Sequence, residues 1–416
     1  MPTLHERLAS LSAARAPAGV QPLIPSPHRG AVPRNSGPGY SVEEQLFPLT
    51  ARTWLDGLPV ADAQAASLLA PNLGQQIPPL PDWLFLDLET TGLSGGTGTY
   101  AFVVGVGQLK PEGFRFQQFF LRDLAEEGAL LTALAPLLDR TSLLVTYNGK
   151  LFDAPVLETR YRLARLPFAL EGKPHLDLLY PARRLWKLRW GSARLLDLER
   201  NLLAHEREDD VPGELIPHLY FDYLRSGKES SLHAVFRHNA EDVVTLAALA
   251  ARLLDLAAEP ESASHDALEL FALGRLFERA GQPDRARALY EQALGDSLPP
   301  EADSAARYRL SLLCKRQRDY RRAVILWQEL AKENPIENLA VYEELAICYE
   351  HRLDDPEEAA EVTRRALARV DDLLEGQPEN RWRWRRARTR FAHRLQRLRR
   401  KQGFELPPLY CTSLRE

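Results

Sequence analysis

Sulfur chemistry has almost no material in this 416-residue chain. Its three cysteines, Cys314, Cys348 and Cys411, are odd in number and far apart, with no CxxC pair or zinc-type spacing. A disulfide framework and a cysteine-ligated metal are therefore both excluded as organising principles, and a reducing cytoplasm is the expected setting. Long apolar runs are missing too. Residues 1–30 contain no continuous apolar segment, and no stretch of about 18 apolar residues occurs anywhere, so neither a cleaved secretion signal nor a membrane span is expected. Nor is there a strong excess of one charge. A net charge of −4 offers no whole-molecule reason to bind nucleic acid or a membrane, and any such argument must be local.

What is present divides into regions. Residues 1–81 hold 13 of the 30 prolines, with Gly/Ser clusters such as Asn35-Ser36-Gly37-Pro38-Gly39. This composition cannot sustain a core alone, so an extended, partly disordered arm is expected. Within it, Glu43–Leu49 and Ala51–Leu58 are candidates for packing onto the next domain. Residues 82–256 read as an α/β domain. Strands are expected at Trp83–Leu88, Thr99–Lys110, Phe114–Leu121, Ser142–Thr146 and His175–Leu179, the second and third joined as a hairpin by Pro111-Glu112-Gly113. Helical periodicity covers Ala125–Leu138, residues 151–165 and most of the chain to Leu254. The expected product is a mixed five-stranded sheet flanked by helices.

Residues 265–402 are helix after helix, with a period near 35. Gly274, Ala286 and Ala293 stand 12 and 7 apart; Ser311, Ala323 and Leu330 repeat that spacing, and Ala346, Ala359 and Ala366 nearly do. Small residues so placed let paired helices cross closely, and the pattern resembles tetratricopeptide repeats. The last helix, Arg381–Lys401, has eleven Arg/Lys and no acid, interspersed with Trp382, Trp384 and Phe391. It reads equally as a cap on the repeat array or as a phosphate-contacting helix with stacking groups. Residues 403–416 form a tail.

Chemistry concentrates where strands end. In Trp83-Leu84-Phe85-Leu86-Asp87-Leu88-Glu89-Thr90-Thr91-Gly92, a buried strand runs into two acids on one side. Two carboxylates at such a place resist desolvation and repel unless a cation joins them, and Mg²⁺ or Mn²⁺ is the natural partner. A second segment, Asn148-Gly149-Lys150-Leu151-Phe152-Asp153, puts an acid at a helix start after the Ser142–Thr146 strand. A third, His238-Asn239-Ala240-Glu241-Asp242, lies within a helix and places His238 and Asp242 on one face.

These three segments, in this order, resemble the DEDD (DnaQ-like) 3′–5′ exonucleases of the ribonuclease-H-like fold. More closely, residues 83–254 resemble the YprB-type ribonuclease-H-like domain, including His175-Leu176-Asp177-Leu178-Leu179 and Ile216-Pro217-His218-Leu219-Tyr220-Phe221. The resemblance implies that Asp87, Glu89, Asp153 and Asp242 ligate two Mg²⁺ or Mn²⁺ ions and that His238 accepts a proton. Histidine-type members place the base five residues before the last acid, and tyrosine-type members place it four before. Here a histidine occupies the tyrosine spacing. With a reference pKa near 6.5 it should work as a base at neutral pH. Four carboxylates nearly neutralise two divalent ions, which together can activate water and stabilise the leaving oxygen of a phosphodiester.

The implied activity is 3′–5′ exonucleolytic hydrolysis of single-stranded DNA or RNA ends in the cytoplasm. A protein partner is expected on the repeats, and no membrane. Alternatives are a non-catalytic nucleic-acid-binding scaffold and a structure-specific endonuclease. Asn148 and Lys150 are candidates for phosphate contact, and Asp177 for a structural role. The Gly92–Gly98 stretch lacks the Gly-Lys-Ser/Thr of a P-loop and reads as a mobile loop. Arg183, Arg184, Lys187 and Arg189, with Trp186 and Trp190, read either as a strand contact or as a solvated helix face.

Overall fold

The computed structural model describes residues 32–37, 39–47, 63–73, 77–92, 96–208, 210–264, 266–333, 339–376 and 381–402. The chain forms two compact units, Met1–His265 and Asp266–Glu416.

The first unit is built on a seven-stranded sheet. Its strands are β1 (Val32–Gly37), β2 (Tyr40–Phe47), β3 (Trp83–Thr90), β4 (Ala101–Lys110), β5 (Gly113–Leu121), β6 (Leu143–Thr146) and β7 (His175–Asp177), in the order β1-β2-β5-β4-β3-β6-β7. The first five strands of that order pair antiparallel, while β3, β6 and β7 run parallel. All five strands expected from the sequence are present. The sheet is wider than expected because the proline-rich region adds β1 and β2. Pairing along β5, with Val42 opposite Phe119, gives Tyr40–Phe47 an edge to bond to that composition alone does not reveal. The Ala51–Leu58 segment, most of the expected arm and the tail lie outside the described residues.

Helices cover both faces: α1 (Ala63–Leu69), α2 (Glu127–Arg140), α3 (Asp153–Leu163), α4 (Leu179–Trp190), α5 (Leu195–Leu202), α6 (Ile216–Ser226) and α7 (His233–Ala258). The alternation along β3 decides what each face receives. Leu84, Leu86 and Leu88 enter one core with Leu130 and Leu134 of α2, Leu157 and Tyr161 of α3, and Leu219 and Tyr220 of α6. The odd positions face the other way, where α7 packs across β3 and β4. Phe85 meets Phe114 edge-on at 5.7 Å, and Val243 of α7 approaches Gly107. Asp87 and Glu89 therefore continue a face that begins with fully buried Trp83 and Phe85. Burial of that apolar run fixes where the acids stand.

The second unit comprises α8 (Ala267–Arg279), α9 (Pro283–Leu294), α10 (Pro300–Arg316), α11 (Tyr320–Glu333), α12 (Leu339–His351), α13 (Pro356–Gly376) and α14 (Arg381–Lys401), each packed on its sequence neighbours. The repeated small positions are all buried, from Gly274 through Ser311 to Ala366. A Cβ on Gly274 would sit 2.6 Å from the ring of Tyr290, which shows how closely α8 and α9 cross. In α14, Trp384 and Phe391 turn inward, while Trp382 is exposed. Glu350 of α12, with a buried side chain, accepts from Arg394 (3.0 Å), Arg397 (2.6 Å) and Lys401 (3.0 Å). Much of the helix's charge thus serves to seat it, as a cap would require. Among the described residues no helix is long and apolar enough to cross a membrane.

Candidate active site

Asp87 and Glu89 lie on the last turnable stretch of β3, where the strand still pairs with β4. Asp87 stands opposite Gly105 in register. The missing side chain at Gly105 is what admits α7, since a Cβ there would lie 2.3 Å from Oδ1 of Asn239. Asn239, fully buried, donates through Nδ2 to Oδ2 of Asp87 (2.8 Å) and to the Asp87 carbonyl (3.2 Å). Its own Oδ1 accepts from Gln118 Nε2 at 2.8 Å, so both ends of the amide are satisfied and its orientation is fixed. Of the two Asp87 carboxylate oxygens, this hydrogen bond takes Oδ2.

Asp153 arrives by a different device. After β6 the chain turns at Asn148, whose φ of 67° is left-handed. Asp177, at the end of β7, holds that turn. Its carboxylate accepts the backbone N–H of Asn148 (2.8 Å), Lys150 (3.1 Å) and Leu179 (3.1 Å). The turn then delivers Asp153 as the buried first residue of α3. Asp177 is thus a strand-end support for the site, the structural role expected of it. The basic face of α4 presents Arg183, Arg184, Lys187 and Arg189 outward, while Trp186 is buried and Trp190 stacks on it. Within the Gly-rich loop, Leu93 to Gly95 lie outside the described residues.

The electrostatics show that the acids from all three segments meet. Burial and the nearby Asp242 raise the Asp87 pKa to about 7, against the pull of His238, Asn239 and Arg207. Burial, with Asp87 beside it, pushes Glu89 well above the usual carboxylate range. Asp153 is pushed up the same way, by burial and then Asp87. Carboxylates that raise one another's pKa favour a further cation between them. An all-oxygen set of this kind fits a hard divalent cation, Mg²⁺ or Mn²⁺. Among the described residues no three His, Cys, Asp or Glu side chains converge in the geometry of a bound ion.

His238 sits one helical turn before Asp242 on α7. Its Nδ1 lies 2.6 Å from Asp210 Oδ1, and its Nε2 faces Asp242 Oδ2 at 3.6 Å and Glu89 Oε1 at 3.9 Å. Burial disfavours its charge, but Asp242, Asp210 and Glu89 outweigh that and raise its pKa to about 10. The surrounding carboxylates therefore favour the protonated ring. Cations on Glu89 and Asp242 would remove the charges that hold the proton there.

Three further residues belong to the site and carry no motif. Arg207, from the segment between α5 and α6, is almost wholly buried. It donates through Nε to Glu199 Oε2 (2.7 Å) and through Nη2 to both Glu199 Oε1 and Asp242 Oδ1. Glu199 itself is buried on α5 and accepts the Thr245 hydroxyl at 2.6 Å. Asp210 is the third. Burial works against its charge, yet His238 and Arg207 prevail and lower its pKa. In sequence Arg207 and Asp210 belong to the charge run His205-Glu206-Arg207-Glu208-Asp209-Asp210, and Glu199 lies six residues before that run.

A profile for the RNase H superfamily matches residues 84–254, from β3 into α7, and so spans all five residues proposed from the sequence. YprB of Bacillus subtilis (strain 168) is 34% identical over 298 residues, covering 71% of each chain. The chain belongs to the RNase H superfamily. A tetratricopeptide-repeat profile also matches residues 270–296, within the second unit. An RNase H superfamily domain carries, at that coarse level, nuclease-type hydrolysis of nucleic acid with divalent metal.

Proposed function

We propose that the chain is a cytoplasmic 3′–5′ exonuclease acting on single-stranded DNA or RNA ends, with Asp87, Glu89, Asp153 and Asp242 holding Mg²⁺ or Mn²⁺. Residues 82–256 would be the catalytic part and residues 265–402 a platform for a protein partner. The observation that carries the reading is the proximity of acids from three distant segments. They lie near enough to raise one another's pKa, with His238 aimed between two of them.

The chain's own residues divide the work. Asn239 fixes one oxygen of Asp87. Asp210 holds Nδ1 of His238 and thereby turns Nε2 toward Glu89 and Asp242, where it would pass a proton to or from the attacking water. Asp177 keeps the turn that positions Asp153. Bound divalent ions would supply Lewis acidity for water and for the leaving oxygen.

A 5′-labelled single-stranded oligonucleotide incubated with the full chain and Mn²⁺ should shorten to a stepwise ladder, and circular single-stranded DNA should survive. An Asp87→Ala protein should leave the oligonucleotide intact. Cleavage of the circle would replace the exonuclease with an endonuclease, and equal behaviour of wild type and Asp87→Ala would remove the enzyme altogether.

A further inference from the structure

The eleven arginines and lysines of α14 fall into two groups. Arg394, Arg397 and Lys401 go to Glu350, Arg390 to Glu343 and Arg388 to Asp371, and these five seat the helix. The other six meet no acid among the described residues. Helical spacing puts Arg385, Arg386 and Arg400 on the side of Trp382, three, four and eighteen residues further on. The opposite side carries Trp384, Phe391, Leu395 and Leu398, all buried. Trp382 is 70% exposed, and the three arginines are exposed with it. Over 21 residues this makes a cationic ridge about 30 Å long, bearing an indole, on a helix with no acid of its own.

The chemistry selects the occupant. Guanidinium groups without an acid present a fixed fork of donors that matches phosphate oxygens. An exposed indole among them gives a base a face to stack on. A bilayer fits poorly, because the apolar stripe of the helix is spent on the repeats and only Trp382 is left to insert. A duplex offers phosphates but no open base faces. We propose that this outward face of α14 is a second contact for single-stranded nucleic acid, DNA and RNA alike, on a different unit from the acids. That the bound strand is also the substrate rests on the nuclease reading above.

Binding is read by fluorescence anisotropy on the full chain without metal, across a salt series, with oligo(dT) and oligo(rU) probes of about 30 nucleotides. Replacing Arg385, Arg386 and Arg400 together by Ala should weaken both probes about 10-fold or more. The same change should lower the slope of log Kd against log[salt] by about 2, since each phosphate contact on a single strand contributes about 0.7. The three lysine replacements should keep the slope, because lysine keeps the charge. Trp382→Ala should weaken binding about fivefold or more with the slope unchanged, which covers a triple variant that does not fold. Wild-type affinity and slope in the folded triple alanine variant, or a loss with one sugar alone, would overturn the proposal. So would a triple variant that loses phosphatidylserine vesicles yet keeps the oligonucleotides, which would make the face a lipid contact. Wild type that binds these probes through the arginines but does not cut them with Mn²⁺ would overturn the nuclease reading and leave this surface standing.

Discussion

Asp210 Oδ1 lies 2.6 Å from Nδ1 of His238, and this contact decides which ring nitrogen faces the acids. A carboxylate on one nitrogen of an imidazole sets the tautomer and the angle of the other. Replacing Asp210 by Asn should lower turnover by about 10- to 100-fold, and replacing His238 by Ala by about 10²- to 10⁴-fold. The double variant should be no worse than His238→Ala alone, since Asp210 acts through the ring. Additive losses in a kinetic cycle would show that Asp210 works by another route.

Gly105→Ala should damage the site without touching an acid. The new Cβ would lie 2.3 Å from Asn239 Oδ1, so α7 must move or Asn239 must turn. Overpacking of this kind costs about 1–3 kcal/mol. Urea unfolding should show that loss, and activity should fall further than stability does because the Asn239–Asp87 hydrogen bond goes with it. A Gly105→Ala protein as stable and active as wild type would contradict the close approach described here.

His175 should make the fold acid-sensitive. Burial, with Lys150 adding to it, lowers its pKa from 6.5 to about 4, and its Nε2 is 2.8 Å from the Thr146 hydroxyl. A folded-state pKa below the unfolded one means the unfolded chain binds more protons, so stability is full above about pH 6.5 and declines toward pH 4. The loss amounts to at most about 3 kcal/mol. Unfolding midpoints measured from pH 7 to pH 4 should fall more steeply for wild type than for His175→Gln. Parallel profiles would contradict a buried neutral His175.

In the second unit, Glu350→Gln should loosen α14. The carboxylate pKa is lowered, because Lys401 and Arg397 outweigh burial. Its contribution is therefore present above the ordinary carboxylate range and lost as pH falls through it. At neutral pH the substitution should cost about 1–3 kcal/mol, and the difference from wild type should close in acid. Hydrogen exchange across Arg381–Lys401 would report it, and unchanged protection at neutral pH would contradict it.

The parts of the site legible in the sequence are those that buried strands announce. Trp83 to Leu88 could only be an internal strand, and a strand's alternation puts Asp87 and Glu89 on one side. His238 and Asp242 followed from helical spacing. Arg207, Glu199 and Asp210 were hidden because burial distinguishes them, and nothing in a run of charges reveals which member is buried. Asn239 lay inside a recognised segment, but its role depends on the absence of a side chain at Gly105, in a strand far away in sequence. Strands β1 and β2 were hidden for a similar reason, since their pairing depends on the free edge of β5 and not on their own composition.

The central claim is that acids from three segments form one metal-dependent nuclease site for a strand end. A crystal structure of the full chain with Mn²⁺ and a short single-stranded oligonucleotide tests it most directly. Anomalous scattering from Mn²⁺ is expected at Asp87, Glu89, Asp153 and Asp242, with the 3′-terminal phosphodiester against it and His238 Nε2 nearby. Manganese bound elsewhere, or a strand whose end lies away from these residues, would contradict it.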